Sequence, residues 1–347
     1  MATLTTPVTP VSTPPISPGV GARRRGPKSL PTLPLSAFSP PNTGFSDSFP
    51  LPQSPTTVHP ERVVDASVRC SIPDWKEQTN GSALGGRVGA IVVKASESEL
   101  EGLESQASQA GVTVLAVSVP FSLESGTAPS IPSTKYPVTF TSSFESTSDA
   151  AVAALRAALS AGHTVEIDVQ GSGEENWERL EDLLTKATAD GVDTGLIILS
   201  NILPPTHDLD IPIVKLLTHP FYHSYQSHVA TLSLFPRVYL SYIPPVWNAT
   251  TPPTPISGQD ATVASKEKKE WKRRIKMYVG PAVEAFGFER IIFGSAPSPA
   301  SHSRSNAGDW YEIAREAFAE LGVDQESVDA VFGGNAQRIY ATSSERA

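Results

Sequence analysis

The side chains best placed to do chemistry fall in three short stretches. In VVDASVRC, residues 63–70, a short apolar run leads into Asp65, Ser67 and Arg69. Strand alternation puts those three on one face. A guanidinium at a strand end offers donors matched to a carboxylate or phosphate. TVEIDVQ, residues 164–170, adds Glu166 and Asp168 on another apolar run. HPFYHSYQSH places His219, His223 and His228 at spacings of four and five. On a helix that spacing resembles a metal pair. Pro220 is a good first residue for such a helix, and the plainer reading is a helix start with exposed or hydrogen-bonded imidazoles. No serine lies in a G-x-S-x-G turn, so nothing supports an α/β-hydrolase triad.

Composition narrows the classes. The chain has 347 residues, 39% of them hydrophobic, and a formal net charge of −9. A mildly acidic chain gives no reason to expect a nucleic-acid surface. No run approaches the roughly 18 apolar residues of a membrane span. Cys70 is the one cysteine, which fits a reducing compartment. The cytoplasm is the expected location. Arg23, Arg24, Arg25 and Lys28 raise mitochondrial or nuclear import as alternatives, but the surrounding prolines forbid the amphipathic helix of a transit peptide. Residues 1–60 are rich in Pro, Ser and Thr and lack apolar periodicity, so they are expected to be a disordered tail. Residues 61–347 are expected to form the folded unit.

The elements that must position these side chains follow from apolar runs. Nine strand candidates recur at 63–68, 88–95, 112–119, 137–143, 164–170, 194–200, 212–218, 237–243 and 290–296. Most are continuously hydrophobic, as in parallel strands buried on both faces. Helical patterns separate many of them. Residues 150–161 have Ser146–Asp149 in front and Gly162 behind as start and stop signals. Trp177, Leu180, Leu183, Leu184 and Ala187 form a helical stripe, as do Tyr311, Ala314, Phe318 and Leu321. In KEKKEWKRRIKMY, residues 266–278, Trp271, Ile275 and Tyr278 give a basic helix its buried face. Repeated βα units predict a (β/α)8 TIM-like barrel, with a doubly wound sheet as the alternative. Nine strands are one too many. NILPPTHDLD, between the sixth and seventh candidates, is short for a parallel crossover. The long loops at 244–265 and 297–308 would both lie at the C-terminal face of a barrel.

The C-terminal part carries a family pattern. ERIIFGSAPSP (289–299), DWYEIAREAFAELGV and VFGGNAQRIY (331–340) resemble the end of the amidohydrolase-related family, metal-dependent hydrolases and decarboxylases built on a TIM barrel. The family pattern is F-G-S-D-x-P, a helix, then F-x-G-N-A-x-R-x-Y. Residues 211–245 are similar to the family's sixth and seventh strands. VVDASVRC stands where the family begins with V-x-D-x-H-x-H. The resemblance covers residues 61–341 and is weak between 71 and 210.

In an intact member the resemblance implies zinc, held by the two first-strand His, a mid-barrel His and the Asp of F-G-S-D, with bound water activated as hydroxide. Here Ser67 and Arg69 stand in place of the first two His, and Ala296 in place of the Asp. Only His219, in LLTHP, keeps a family position, that of the sixth-strand His, which implies a catalytic role beside the substrate. A zinc site needs three protein ligands, so neither metal nor other cofactor is expected. The chain is therefore expected to be hydrolase-like in resemblance but a pseudoenzyme candidate. Arg69, Ser67 and Asp168 would bind a small anionic metabolite. Ser67, Arg69, His219 and Ala296 would converge on one pocket, with Arg69 taking the electrostatic place of the metal. The alternative is an active hydrolase or decarboxylase with a rearranged site. Neither nucleic acid nor membrane is an expected partner. Self-association is left open.

Overall fold

Eight parallel strands pair in chain order: β1 (Val63–Val68), β2 (Val88–Lys94), β3 (Val114–Pro120), β4 (Val138–Phe144), β5 (Thr164–Val169), β6 (Leu196–Leu203), β7 (Val238–Tyr242) and β8 (Ile291–Phe293). The computed structural model describes residues 54–342, apart from 70, 172, 190, 192–193, 207–208 and 255–261. The sheet curls into a nearly closed (β/α)8 barrel. Its seam is tied just beyond β8, where the Ala296 amide donates to the Ser67 carbonyl at 2.9 Å. Gly294 permits that approach, since a Cβ there would lie 2.6 Å from the Ser67 Cβ.

Helices α1 (Ile72–Thr79), α2 (Leu100–Ala110), α3 (Asp149–Ser160), α4 (Glu174–Ala187), α5 (Ile213–Leu216), α6 (Pro220–Ser233), α7 (Thr262–Phe286), α8 (Ala307–Ala319), α9 (Gln325–Asp329) and α10 (Asn335–Thr342) follow the strands. Local chemistry sets their ends. The Ser148 side chain accepts from the Ala151 amide at 3.0 Å to cap α3, satisfying one of the free first-turn donors. The α4 stripe expected from sequence is buried, from Trp177 to Ala187.

The core has two parts. The larger lies between strands and helices and takes Val63, Val68, Ile91 and Val93. The smaller fills the barrel's lower interior. There Val64, Ala66, Ala90, Val92, Ala116, Ile198 and Ile292 pack against Ala336, Ile339 and Tyr340 of α10. The closing motif VFGGNAQRIY is thus a plug. Asn335 Nδ2 donates to the carbonyls of Phe288 (2.7 Å) and Ile291 (2.8 Å). Gly333 sits where a Cβ would meet the Arg62 carbonyl at 2.6 Å.

One expectation changes. PIVKLLT (212–218) is no strand: it forms the short α5 and a turn, with Val214 78% and Leu217 57% exposed. Exposure of that kind is incompatible with a buried parallel strand. Among the described residues there are therefore eight strands, and the crossover from β6 to β7 is an ordinary one through α6. The basic run 266–278 also pairs across to α8. Lys268, Lys272 and Lys276 form a ladder of ion pairs with Glu316 and Glu320 of α8 and just beyond it, at 2.6–2.9 Å. Residues 1–53 lie outside the described residues, but residues 54–60 are held on the barrel. Arg315, 2% exposed, donates from Nη1 to the carbonyls of Pro55 (3.0 Å) and Val58 (2.6 Å).

That contact has a measurable consequence. A chain beginning at residue 61 leaves the buried Arg315 Nη1 without acceptors. We expect it to lose about 2 kcal/mol of stability relative to one beginning at residue 54, the cost of orphaning a charged donor. Urea unfolding of the two chains measures the difference; equal midpoints would show that water replaces the two carbonyls.

Candidate functional site

The polar row at β1 is not a single face. Asp65 pairs with Ile91 and Val68 with Val93, three residues on β1 against two on β2, so a β-bulge lies between them. A bulge reverses the side-chain alternation beyond it. Val63, Asp65 and Val68 therefore point to the helix layer, while Arg69 turns into the barrel mouth. The expectation that Asp65 and Arg69 share a face is corrected by this one extra residue.

Asp65 is fully buried and serves as a tie. Its carboxylate accepts from Trp75 Nε1 on α1 (2.9 Å), the Ser295 amide (2.8 Å), the Ser295 hydroxyl (2.5 Å) and the Ser67 amide (3.2 Å). Burial raises its pKa, with these hydrogen bonds opposing. The acid joins β1, α1 and the end of β8. Ser67 belongs to the same seam, its hydroxyl 3.5 Å from the Ala296 carbonyl oxygen.

The barrel mouth holds four charged side chains. Lys94, at the end of β2, forms an ion pair and hydrogen bond with Glu166 of β5, with both side chains about 95% buried. Burial pulls the Lys94 ammonium below its usual range, against the attraction of Glu166. Burial works to raise Glu166, but Lys94 and Arg69 together hold it below the usual carboxylate range. Asp168, two residues on, accepts from the hydroxyls of Ser298 (2.8 Å) and Ser200 (3.1 Å) and from Nε2 of the Gln170 side chain. The Ser200 hydroxyl also lies within reach of Glu166. Burial raises Asp168, with the Ser298 hydrogen bond and the Arg69 charge opposing.

Arg69 completes the group without closing a contact. It feels the charges of Glu166, Asp168 and Lys94. Yet its Nε and Nη2 are buried with no hydrogen-bond partner. It does not pair with Asp65 or Asp168. Arg69 and Asp168 both line a cavity of about 410 Å³ between the C-terminal ends of β3, β4 and β5. Its other walls include Phe121, Ser122, Ser142, Ser143 and Pro299, with Glu124 and Glu145 exposed at the rim.

The histidines lie elsewhere. His219 is the N-cap of α6, where its Nδ1 accepts from the Phe221 amide at 3.2 Å. It ends no strand and is not among the residues lining the cavity, because the segment before it is α5. His228 is buried on α6, stacked on Trp177 and bonded to Glu181 (2.7 Å) and Glu174 (3.0 Å) of α4. Among the described residues, no three His, Cys, Asp or Glu side chains form a group that could hold a metal ion. Nor is any helix there long and apolar enough to cross a membrane.

Sequence reasoning missed Lys94, Ser200 and Ser298. For Lys94 a signal existed: in VGAIVVKA it continues the inward series Ala90, Val92, Lys94, a lone cation on an otherwise apolar strand. Ser298 gave none, because its position depends on how the loop after β8 folds back.

No protein-family model and no curated protein matches the sequence. Solved structures do match. An amidohydrolase from Burkholderia multivorans with bound zinc aligns over 81% of this chain and 99% of its own, at a TM-score of 0.50 and 16% identity. A second crystal form of an amidohydrolase from that organism, with bound HEPES, gives 0.51 over the same shares, also at 16% identity. This chain shares the (β/α)8 fold of those two structures. An amidohydrolase 2 from Bifidobacterium longum subsp. infantis aligns over 80% of this chain and 98% of its own, at 0.47 and 15% identity.

Proposed function

We propose that this amidohydrolase-like barrel binds a small carboxylate at its mouth and does so without a metal. The observation that carries the reading is Arg69. It lines the cavity, it is a permanent cation, and two of its donors have no partner inside the protein. Buried donors left unpaired cost about 1–3 kcal/mol each, so turning the guanidinium onto a ligand in the cavity recovers that cost. A planar guanidinium favours a carboxylate held by two parallel hydrogen bonds. The serines along β4 and its loop supply hydroxyls for the rest of the ligand.

Zinc, bound in one of the similar structures, does not suit the residues present here. Ala296 offers no donor atom, Arg69 would repel a cation, and Glu166 is already taken by Lys94. Two fixed cations, Lys94 and Arg69, stand beside two carboxylates, Glu166 and Asp168. Adding a divalent ion would disturb that balance and require displacing a buried ion pair.

The test is a calorimetric titration of the full chain with propionate. Wild type should bind it, and Arg69→Ala should bind roughly 10- to 100-fold more weakly, the loss of a charged hydrogen-bond pair worth about 1.5–3 kcal/mol. Equal affinity in the two proteins would remove Arg69 from the site.

A further inference from the structure

Lys94 is a primary amine buried beside a carboxylate, just under the residues that wall the cavity. Nothing in the binding scheme above uses its nucleophilicity. We propose that Lys94 captures the carbonyl of a short 2-oxo acid as a Schiff base, with Arg69 holding the acid's carboxylate and Glu166 moving the protons. The inference rests on the reading of Arg69 as a carboxylate site and adds the class of acid.

Three features of the structure support it. First, Lys94 Nζ is hydrogen-bonded to Glu166, so a proton acceptor is already in contact with the amine. Second, Arg69 and Asp168, the two charged neighbours of this pair, both line the cavity. Glu166 and Asp168 are two residues apart on β5 and share a face, so the amine bonded to Glu166 lies one layer below a carboxylate of the cavity wall. Third, Nε and Nη2 of Arg69 have no partner. Drawing the guanidinium onto a carboxylate in the cavity breaks no hydrogen bond at either atom. In a 2-oxo acid the ketone carbon is bonded to the carboxylate carbon, so an acid held on Arg69 brings its carbonyl to the neighbouring amine. Desolvation also favours the neutral, reactive amine, as it does for Schiff-base lysines in general.

The step balances. The Lys94 ammonium gives one proton to Glu166. The amine nitrogen attacks the carbonyl carbon and the C=O π pair moves to oxygen. A second nitrogen proton passes to that oxygen, giving a carbinolamine. Glu166 returns its proton to the hydroxyl, which leaves as water while the nitrogen lone pair closes the C=N bond. The product is a protonated imine, and no oxidant or reductant is consumed. Decarboxylation or aldol chemistry would need further groups and is not part of the proposal.

The experiment is reductive trapping. The full chain is incubated with pyruvate and sodium cyanoborohydride, then mapped by peptide mass. The expected result is a reduced adduct on the peptide carrying Lys94, suppressed by excess propionate and absent from Arg69→Ala. Lys135, half exposed and paired with Glu104, reports background labelling. Labelling confined to such exposed lysines would overturn the proposal. If propionate still binds wild type in that case, the capture is wrong and the carboxylate site stands. If propionate does not bind either, both fall. Because the decisive label is read on wild type, the test does not depend on a Lys94 variant that folds.

Discussion

Lys94→Met should lower the folding stability by about 3–5 kcal/mol, the usual result of removing one partner of a buried ion pair. The methionine fills much the same volume, so the loss is electrostatic. It leaves Glu166 about 95% buried with Asp168 two residues away on the same strand. Arg69 offsets part of this, since it acts on both carboxylates. Two carboxylates with one cation is still an unbalanced interior. Replacing both partners, Lys94→Met with Glu166→Leu, should recover most of the loss, because apolar residues of similar volume often substitute for a buried pair at little cost. Urea unfolding of the two variants reads this directly. A single variant as stable as wild type would mean that water reaches Glu166 and the mouth is wetter than the packing indicates.

The second large effect belongs to Asp65. Asp65→Ala orphans four donors at once: the Trp75 indole, the Ser295 amide and hydroxyl, and the Ser67 amide. At about 1–3 kcal/mol for each buried donor left unmade, and with relief from burying a charge, the net loss should be about 3–5 kcal/mol. The same residue predicts a pH dependence. Burial raises its pKa in the folded protein, so the fold binds its proton more tightly than the unfolded chain does. Its contribution is then fully present below the unfolded value near about 4 and is lost as pH rises through the folded value. Asp65→Asn cannot titrate. The stability of wild type minus that of Asp65→Asn should therefore fall as pH rises from about 4 towards neutrality. A difference that grows with pH would show that the four donors outweigh burial and hold the carboxylate charged.

These predictions rest on features that differed greatly in how visible they were in the sequence. The barrel was legible because continuous apolar runs and capped helices each carry a local signal. The closing motif was the clearest of all, and its role proves to be packing: Gly333 admits a carbonyl, Asn335 ties the base of β8, and Tyr340 fills the barrel interior. The motif that carries the resemblance is therefore informative about fold and says little about chemistry. The site was less legible, for two physical reasons. A bulge is a matter of register between two strands, so no pattern on β1 alone reveals that Asp65 and Arg69 part company. A family position for His219 presupposed a strand before it, whereas residues 213–216 are helical and His219 caps the helix that follows. The Lys94–Glu166 pair joins strands 72 residues apart in the chain, and only closure of the barrel brings them together.

In the proposed scheme the side-chain cations Lys94 and Arg69 occupy the barrel mouth and leave no place for a divalent ion. Dialysing the full chain against zinc at neutral pH, with elemental analysis of the metal retained, tests this. Retention should stay well below one ion per chain, unchanged in Arg69→Ala. One ion retained per chain, and lost when Glu166 or Asp168 is replaced by its amide, would contradict it.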